Sequence, residues 1–382
     1  MPLQDYMQLI SVDDHIIEHP DVWTDRLPQK FQEDGPRIVD GPARAGGELS
    51  QVWQYQGNTY PAIGLNAVAG KRPEQFGTEP TRYDDMLAGC YDPVKRLADM
   101  DTDGVWASLN FPTFPRFAGT MFLEGADREL ALACVQAYND FVIDEWCASA
   151  PDRYIPLTIL PLWDVGAAVA EVHRTAAKGA KSIAFPENPS PLGLPSFHAA
   201  GHWDPVFSAC EEHDLPLSMH FGTSGQSPHP APDTPLAARL ALFSCNSMYA
   251  LSDLLFSNVF HKHPKLKVAL GESGIGWIPF MLERMDWVWE RHRFYQDINQ
   301  ELRPSEIYYN HVYACYISDT HGLEAREIVG VNNILWECDY PHSDSYFPNS
   351  RKVAQEQLQG VPDAEAHRIV ELNARELFHF PK

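Results

Sequence analysis

Apolar residues along this chain come in short runs, and between the runs the spacing switches to that of amphipathic helices. The first run, from Leu9 to Val12, ends in Asp13-Asp14-His15-Ile16-Ile17-Glu18. Further runs at 104–110, 154–160, 181–185, 215–221, 266–272, 312–317 and 333–338 bring the strands to eight. The segments between them that carry helical periodicity are 93–100, 124–149, 163–178, 204–212, 235–260 and 277–295. Two more helices, at 349–359 and 363–378, close the chain. Strands alternating with helices predict a parallel sheet with crossover helices, and eight of them predict an α/β fold of the (β/α)8 TIM-barrel type. Residues 19–88 break the rhythm. They read as an irregular insertion after the first strand, with a hairpin around Gln51–Tyr55 and Asn58–Ile63, inside a single domain of 382 residues. An excursion of that length suggests a lid or binding loop. Its aromatics, Trp53, Tyr55 and Tyr60, would cover a pocket or fill a satellite core.

Composition narrows the partners. A net charge of −23 disfavours nucleic acid and anionic membrane surfaces, because both need concentrated Lys and Arg. The seven cysteines are scattered and form no C-x-x-C pair, which argues for reduced thiols and against a zinc ribbon. The N-terminal stretch MPLQDYMQ has neither a basic start nor an apolar core, so a soluble, cytoplasmic protein is expected. No G-x-G-x-x-G follows the first strand, and no phosphate-loop motif occurs anywhere.

In a barrel of this kind catalytic groups collect at the C-terminal ends of the strands. On the first strand Asp13 and His15 share a face, because side chains alternate with period two, and Glu18 lies just beyond. The fifth strand ends in His220, the sixth in Glu272 and the eighth in Asp339. Each has a structural alternative: a core histidine for His220, a helix cap for Glu272, a turn residue before Tyr340-Pro341 for Asp339. Four strand ends that each deliver an imidazole or carboxylate to one rim form a metal-ligand constellation. His342, Asp319, His321 and Ser273 are candidates for an outer layer that orients the ligands. His261 and His263, in an H-x-H spacing, fall at the opposite end of the barrel and read as structural.

Asp13-x-His15-x-x-Glu18, His220, the run HPKLKVALGESGIGWIPFMLERMD and DYPHSDS resemble the amidohydrolase-related family (amidohydrolase family 2) over nearly the whole chain. That family includes the aminocarboxymuconate-semialdehyde decarboxylase-like enzymes. The resemblance implies a divalent metal held by Asp13, His15, His220 and Asp339. Two positions depart from it. Members open with H-x-H or E-x-H where this chain has Asp13, and the decarboxylases carry a catalytic histidine where it has Glu272. The site becomes rich in carboxylates, including Glu18 and Glu272, which favours Mn or Fe over a histidine-dominated Zn site and offers ligands for one ion or two.

The expected function is metal-dependent hydrolysis of a small organic substrate, aromatic or carboxylate-bearing. A bound metal brings the pKa of its water to about 7, with Asp339, Glu272 and His220 as the catalytic groups. Three alternatives stay open: a dinuclear Fe or Mn/Fe oxygenase, a non-oxidative decarboxylase, and a degenerate subunit supporting an active paralogue. The aromatics of the insertion and of the loop 110–115 hint at an apolar pocket. The Trp- and Met-rich segment 277–289 suggests either core packing or a contact in a homo-oligomer or a hetero-oligomer with a paralogue.

Overall fold

Helices of the barrel start where the sequence places an aspartate. Asp92, Asp127 and Asp164 cap the helices Pro93–Asp103, Arg128–Phe141 and Val165–Lys178, each accepting backbone N–H groups of the first turn. Gly104 and Gly179, both at positive φ, end the first and third of them. The computed structural model in which these elements are seen describes residues 3–42, 47, 49–226 and 228–381. Residues 1 and 2 of the N-terminal stretch, and 43–46 and 48 of the insertion, lie outside the described residues.

The eight expected strands form, all parallel. They are β1 (Leu9–Ile16), β5 (Val105–Pro112), a third strand that Pro156 divides into β6 (Tyr154–Ile155) and β7 (Leu157–Thr158), β8 (Ser182–Ala184), β9 (Leu217–His220), β10 (Val268–Gly271), β11 (Val312–Tyr316) and β12 (Ile334–Trp336). The order β1-β5-β6 continues through Pro156 into β7-β8-β9-β10-β11-β12. Proline has no N–H to give to a ladder, so the third strand pairs with β5 before it and with β8 after it. The ring closes between the segment after β12 and β1. There Cys338 N–H donates to Ser11 Oγ at 2.8 Å, Asp339 N–H to the Asp13 carbonyl at 2.8 Å, and His15 N–H to the Tyr340 carbonyl at 2.7 Å. This is the TIM barrel that the strand count predicts.

The insertion is more regular than expected. A three-stranded antiparallel sheet of β2 (Arg37–Pro42), β3 (Leu49–Tyr55) and β4 (Asn58–Pro61) contains the expected hairpin and one further strand. Trp53 and Tyr55 belong to the main core rather than to a satellite: Trp53 stacks on Phe114 at 4.7 Å and meets Trp23 edge-on at 5.1 Å. The single helix expected over 235–260 is three pieces, Leu236–Leu240, Ser244–Phe256 and Val259–Lys262. Ser257 turns extended at the second break, and its hydroxyl returns to the Leu254 carbonyl. The helix Ile278–His292 divides its large apolar side chains, burying Met285 and Trp289 while Phe280 and Trp287 face outward. Among the described residues no helix is long and apolar enough to cross a membrane.

Arg96 ties the first helix to the barrel, a role its sequence position does not announce. It is fully buried and donates to the Gly89 carbonyl at 2.7 Å, Asn110 Oδ1 at 2.8 Å and the His15 carbonyl at 2.6 Å. Its guanidinium also lies over the Tyr340 ring and 3.9 Å from Asp14. Arg96→Ala strands three buried acceptors and a carboxylate. It is expected to cost about 3–5 kcal/mol in chemical denaturation, and a loss below about 1 kcal/mol would refute the assignment.

Candidate metal centre

β1 carries a bulge against β5 between Ser11 and Asp14, and this irregularity sets the direction of its acids. Asp14 takes the outer side, accepting from Ser11 Oγ at 2.7 Å beside Arg96. Asp13 and His15 turn to the barrel axis, fully buried. There His15 Nε2 lies 3.5 Å from Asp13 Oδ1 and 3.2 Å from Asp339 Oδ1. From the fifth barrel strand His220 Nε2 comes within 3.6 Å of Asp13 Oδ1 and 3.1 Å of Glu272 Oε2. Two donor groups result, Asp13–His15–His220 and His15–Glu272–Asp339–His342, each with its ligand atoms within 4.8 Å of one another.

Polar atoms here lack the partners that burial normally demands. Both oxygens of Asp13, both nitrogens of His15, Nε2 of His220 and of His342, and both oxygens of Asp339 are buried without a hydrogen bond. Asp13, Glu272 and Asp339 have their carboxyls pushed well above the usual range, first by burial and then by neighbouring acids. Burial holds the imidazoles neutral, His220 down to about 4 and His342 to about 3. His220 Nδ1 donates to the Phe221 carbonyl at 2.7 Å, which leaves Nε2 with a free lone pair. Unpartnered carboxylate oxygens facing neutral imidazole nitrogens are the donor set of a divalent cation, and the residues fit one.

The sequence candidates divide. Asp13, His15, His220, Glu272 and Asp339 converge. Glu18 does not join them: its two oxygens accept the backbone N–H groups of Thr113 and Phe114, both at 2.8 Å, and burial raises its carboxyl to about 7. His342, expected in the outer layer, stands among the ligand atoms, with Nδ1 3.0 Å from Asp339 Oδ1 and its ring stacked on His15 at 3.7 Å. Asp339 sits at φ +57°, and that turn brings the residue three further on to the same centre. Asp319 serves the scaffold, accepting N–H from Ile275 and Gly276. Ser273 is likewise internal, its hydroxyl on the Cys315 carbonyl, and His321 is exposed. His263 pairs with Glu211 at 3.1 Å, away from the centre, as its structural reading expects. Two residues went unread. Glu337 is buried against Asp13 and Cys315, with Glu272 N–H donating to its Oε2 at 3.1 Å. Phe117 lies against His220 at 4.0 Å. Only the position of Glu337, on the strand that delivers Asp339, could have singled it out.

Above the cluster is a cavity of about 450 Å³. Phe117, Phe221, Phe243 and Leu240 form its walls, and Glu272, Asp339 and His342 open onto it. The insertion roofs it with Ile63, Leu65 and Asn66.

Residues 51–380 match the family described as Amidohydrolase. The chain belongs to the amidohydrolase family. Gamma-resorcylate decarboxylase of Rhizobium radiobacter is 25% identical over 307 residues, covering 73% of this chain and 87% of its own. The structure of an amidohydrolase from Mycobacterium avium subsp. paratuberculosis overlays with a TM-score of 0.76 at 23% identity, covering 98% of this chain and 100% of the other. That of 5-carboxyvanillate decarboxylase from Novosphingobium aromaticivorans, solved with bound manganese, overlays with a TM-score of 0.67 at 17% identity and covers 98% of each chain. These neighbours share the barrel, and this amidohydrolase-superfamily enzyme has its carboxylate and histidine cluster at the strand ends.

Two outcomes follow from the cluster. His220→Ala and Asp339→Ala are each expected to lower metal affinity about tenfold or more, while His263→Ala leaves it unchanged; metal analysis after dialysis measures this. The second concerns pH. In metal-free protein the folded carboxyls hold protons that the unfolded chain has already released, Glu337 up to about 8 against an ordinary 4.5. Above about pH 6.5, where the imidazoles are neutral in both states, the folded state therefore binds more protons, so the chelated protein loses stability as pH rises from about 6.5 to 8. Metal-loaded protein lacks this fall, and parallel melting curves with and without chelator would disprove it.

Proposed function

We propose that this chain is a divalent-metal-dependent, non-oxidative decarboxylase of a small hydroxylated aromatic acid. The observation that carries the reading is the place of Glu272, a carboxyl with a 10% exposed side chain set between the ligand atoms and the aromatic cavity. Decarboxylation exchanges a carboxyl for hydrogen. The site must therefore hold the leaving carboxylate, keep the ring flat against an apolar wall and deliver one proton to the ring carbon. A cation held by Asp13, His15, His220 and Asp339 would supply Lewis acidity toward the substrate's carboxylate and adjacent hydroxyl. Phe117 and Phe243 offer faces for the ring, and the roof of Ile63 and Leu65 keeps water away.

Glu272 supplies the proton. Burial and the neighbouring Asp344 hold its carboxyl in the acid form, and its exposed edge lets it recover a proton from solvent afterwards. An acid thus stands where the decarboxylases of the resemblance keep their catalytic histidine. The named relative is a decarboxylase, which supports this reading over hydrolysis. Manganese suits the carboxylate-rich donors and is the metal of the 5-carboxyvanillate decarboxylase neighbour.

A second reading rests on one further observation. His15, Glu272, Asp339 and His342 make a complete donor group of their own. If Glu272 is ionised it becomes a ligand to a second ion, and the chemistry becomes hydrolysis or oxygen activation at a dinuclear centre. The two readings separate on E272Q. Decarboxylation expects one manganese per chain, carbon dioxide release from a hydroxybenzoate panel, and a kcat in E272Q about 100-fold to 10,000-fold lower with metal content intact. Two ions per wild-type chain falling to one in E272Q would overturn it in favour of the dinuclear reading.

A further inference from the structure

Beside the cavity over the metal ligands lies a second one, of about 330 Å³, and Ile63 and Asn66 border both. Its walls are apolar and largely aromatic: Trp53 and Tyr60 from the insertion, Phe114 and Met121 from the segment after β5. Besides the Tyr60 hydroxyl, five polar side chains line it: Glu18, whose oxygens are taken by the Thr113 and Phe114 N–H groups, and Asn66, Thr81, Thr113 and Arg116. The hydroxyls of Thr81 and Thr113 are buried without a hydrogen-bond partner. Among the described residues Arg116 is the one cation that lines the chamber. Its guanidinium is paired with Glu124 at the outer surface, so it offers remaining N–H donors more than net charge.

The backbone supports a role for this residue. Arg116 sits at φ +58°, a left-handed conformation that costs a non-glycine residue energy. Among the positive-φ residues other than glycine, Glu272 and Asp339 belong to the metal cluster. Arg116 is held in the same way one residue before Phe117, the ring against His220.

A single benzoate ring over the ligand atoms occupies the first chamber only and leaves the second empty, with two buried hydroxyls unpaired. Orphaned hydroxyls in an apolar wall call for an oxygen acceptor on the occupant. We propose that the second chamber is a substrate subsite. It takes an apolar arm on the aromatic acid, and the arm's terminal carboxylate or carbonyl accepts from Thr81, Thr113 and Arg116. The proposal rests on the aromatic-acid reading for the ring end of the ligand. It makes the substrate class an aromatic acid extended by a short chain with an acidic or carbonyl end, larger than a simple hydroxybenzoate.

The test is titration calorimetry on the manganese-loaded protein with two probes. One is salicylate, and the other is salicylate bearing a four-carbon chain that ends in a carboxylate, para to the first carboxyl. The extended probe is expected to bind at least about tenfold tighter. Arg116→Met and Met121→Trp should each remove that advantage while salicylate binding and metal content stay as in wild type. Thr113→Val, which keeps the shape and deletes the hydroxyl, should remove part of it. Equal affinities, no binding by either probe, or an advantage that survives both Arg116→Met and Met121→Trp would overturn the proposal. Failure of the decarboxylase reading shows separately, as absent carbon dioxide release while the affinity difference persists.

Discussion

Four carboxyls, those of Asp13, Glu272, Glu337 and Asp339, are gathered at one end of the barrel, three of them fully buried, and among the described residues no lysine or arginine pairs with any of them. Arg96, a fully buried guanidinium, spends its donors on backbone carbonyls and Asn110 and faces Asp14 on the other side of β1. Bringing like charges together away from water is unfavourable unless the acids keep their protons or a cation neutralises them. Both solutions are visible in the chemistry of the cluster. The carboxyls are raised when metal-free, and the imidazoles between them are held neutral, which is the form that ligates. Metal binding and proton release are therefore one linked process here.

The geometry that forces the acids together is costly in the backbone. Glu272 and Asp339 both take positive φ at the ends of their strands. What holds them is local: Asp339 N–H donates to the Asp13 carbonyl, and Glu272 N–H to the carboxylate of Glu337. Gly271 completes the arrangement, because a Cβ there would collide with the Asp13 carboxylate. The strain at each ligand is thus offset by a hydrogen bond to another acid-bearing strand. These strands position one another, and Glu337 holds the backbone N–H of Glu272.

Most of the fold was legible because it rests on periodicity. Apolar strand runs and the helical spacing between them are properties of neighbouring residues, and they placed all eight strands. The convergence of the five strand-end residues Asp13, His15, His220, Glu272 and Asp339 was legible for the same reason: a barrel converts a residue's place at the end of a strand into a place in space. What could not be read depends on backbone direction and on contacts distant in sequence. His342 reaches the centre only because Asp339 turns the chain left-handed. Glu337 matters through an N–H that lies 65 positions away. The insertion looked irregular because its first strand, Arg37–Pro42, carries mixed residues and only pairing with β3 makes it a strand. The second break in the 235–260 segment, after Phe256, falls where Ser257 turns extended and its hydroxyl takes the Leu254 carbonyl.

Glu18 shows most clearly how a correct pattern can carry a different role. It follows His15 by three residues and has the chemistry of a ligand, yet its oxygens take the N–H groups of Thr113 and Phe114. Those two residues begin the loop that presents Arg116 and Phe117. The Tyr83 hydroxyl donates to the Glu18 carbonyl at 2.6 Å, so the insertion is tied to the same point. The stretch from Asp13 to Glu18 therefore does two things in six residues. Asp13 and His15 enter the candidate metal cluster, and Glu18 fixes the loop whose phenylalanine lies against His220 and whose arginine lines the adjoining chamber. Moving that carboxylate into the metal cluster would add one more buried negative charge to a site already crowded with them. It would also release the aromatic wall. Where Glu18 stands, it lets the ligand strand set the shape of the pocket as well as the place of the metal.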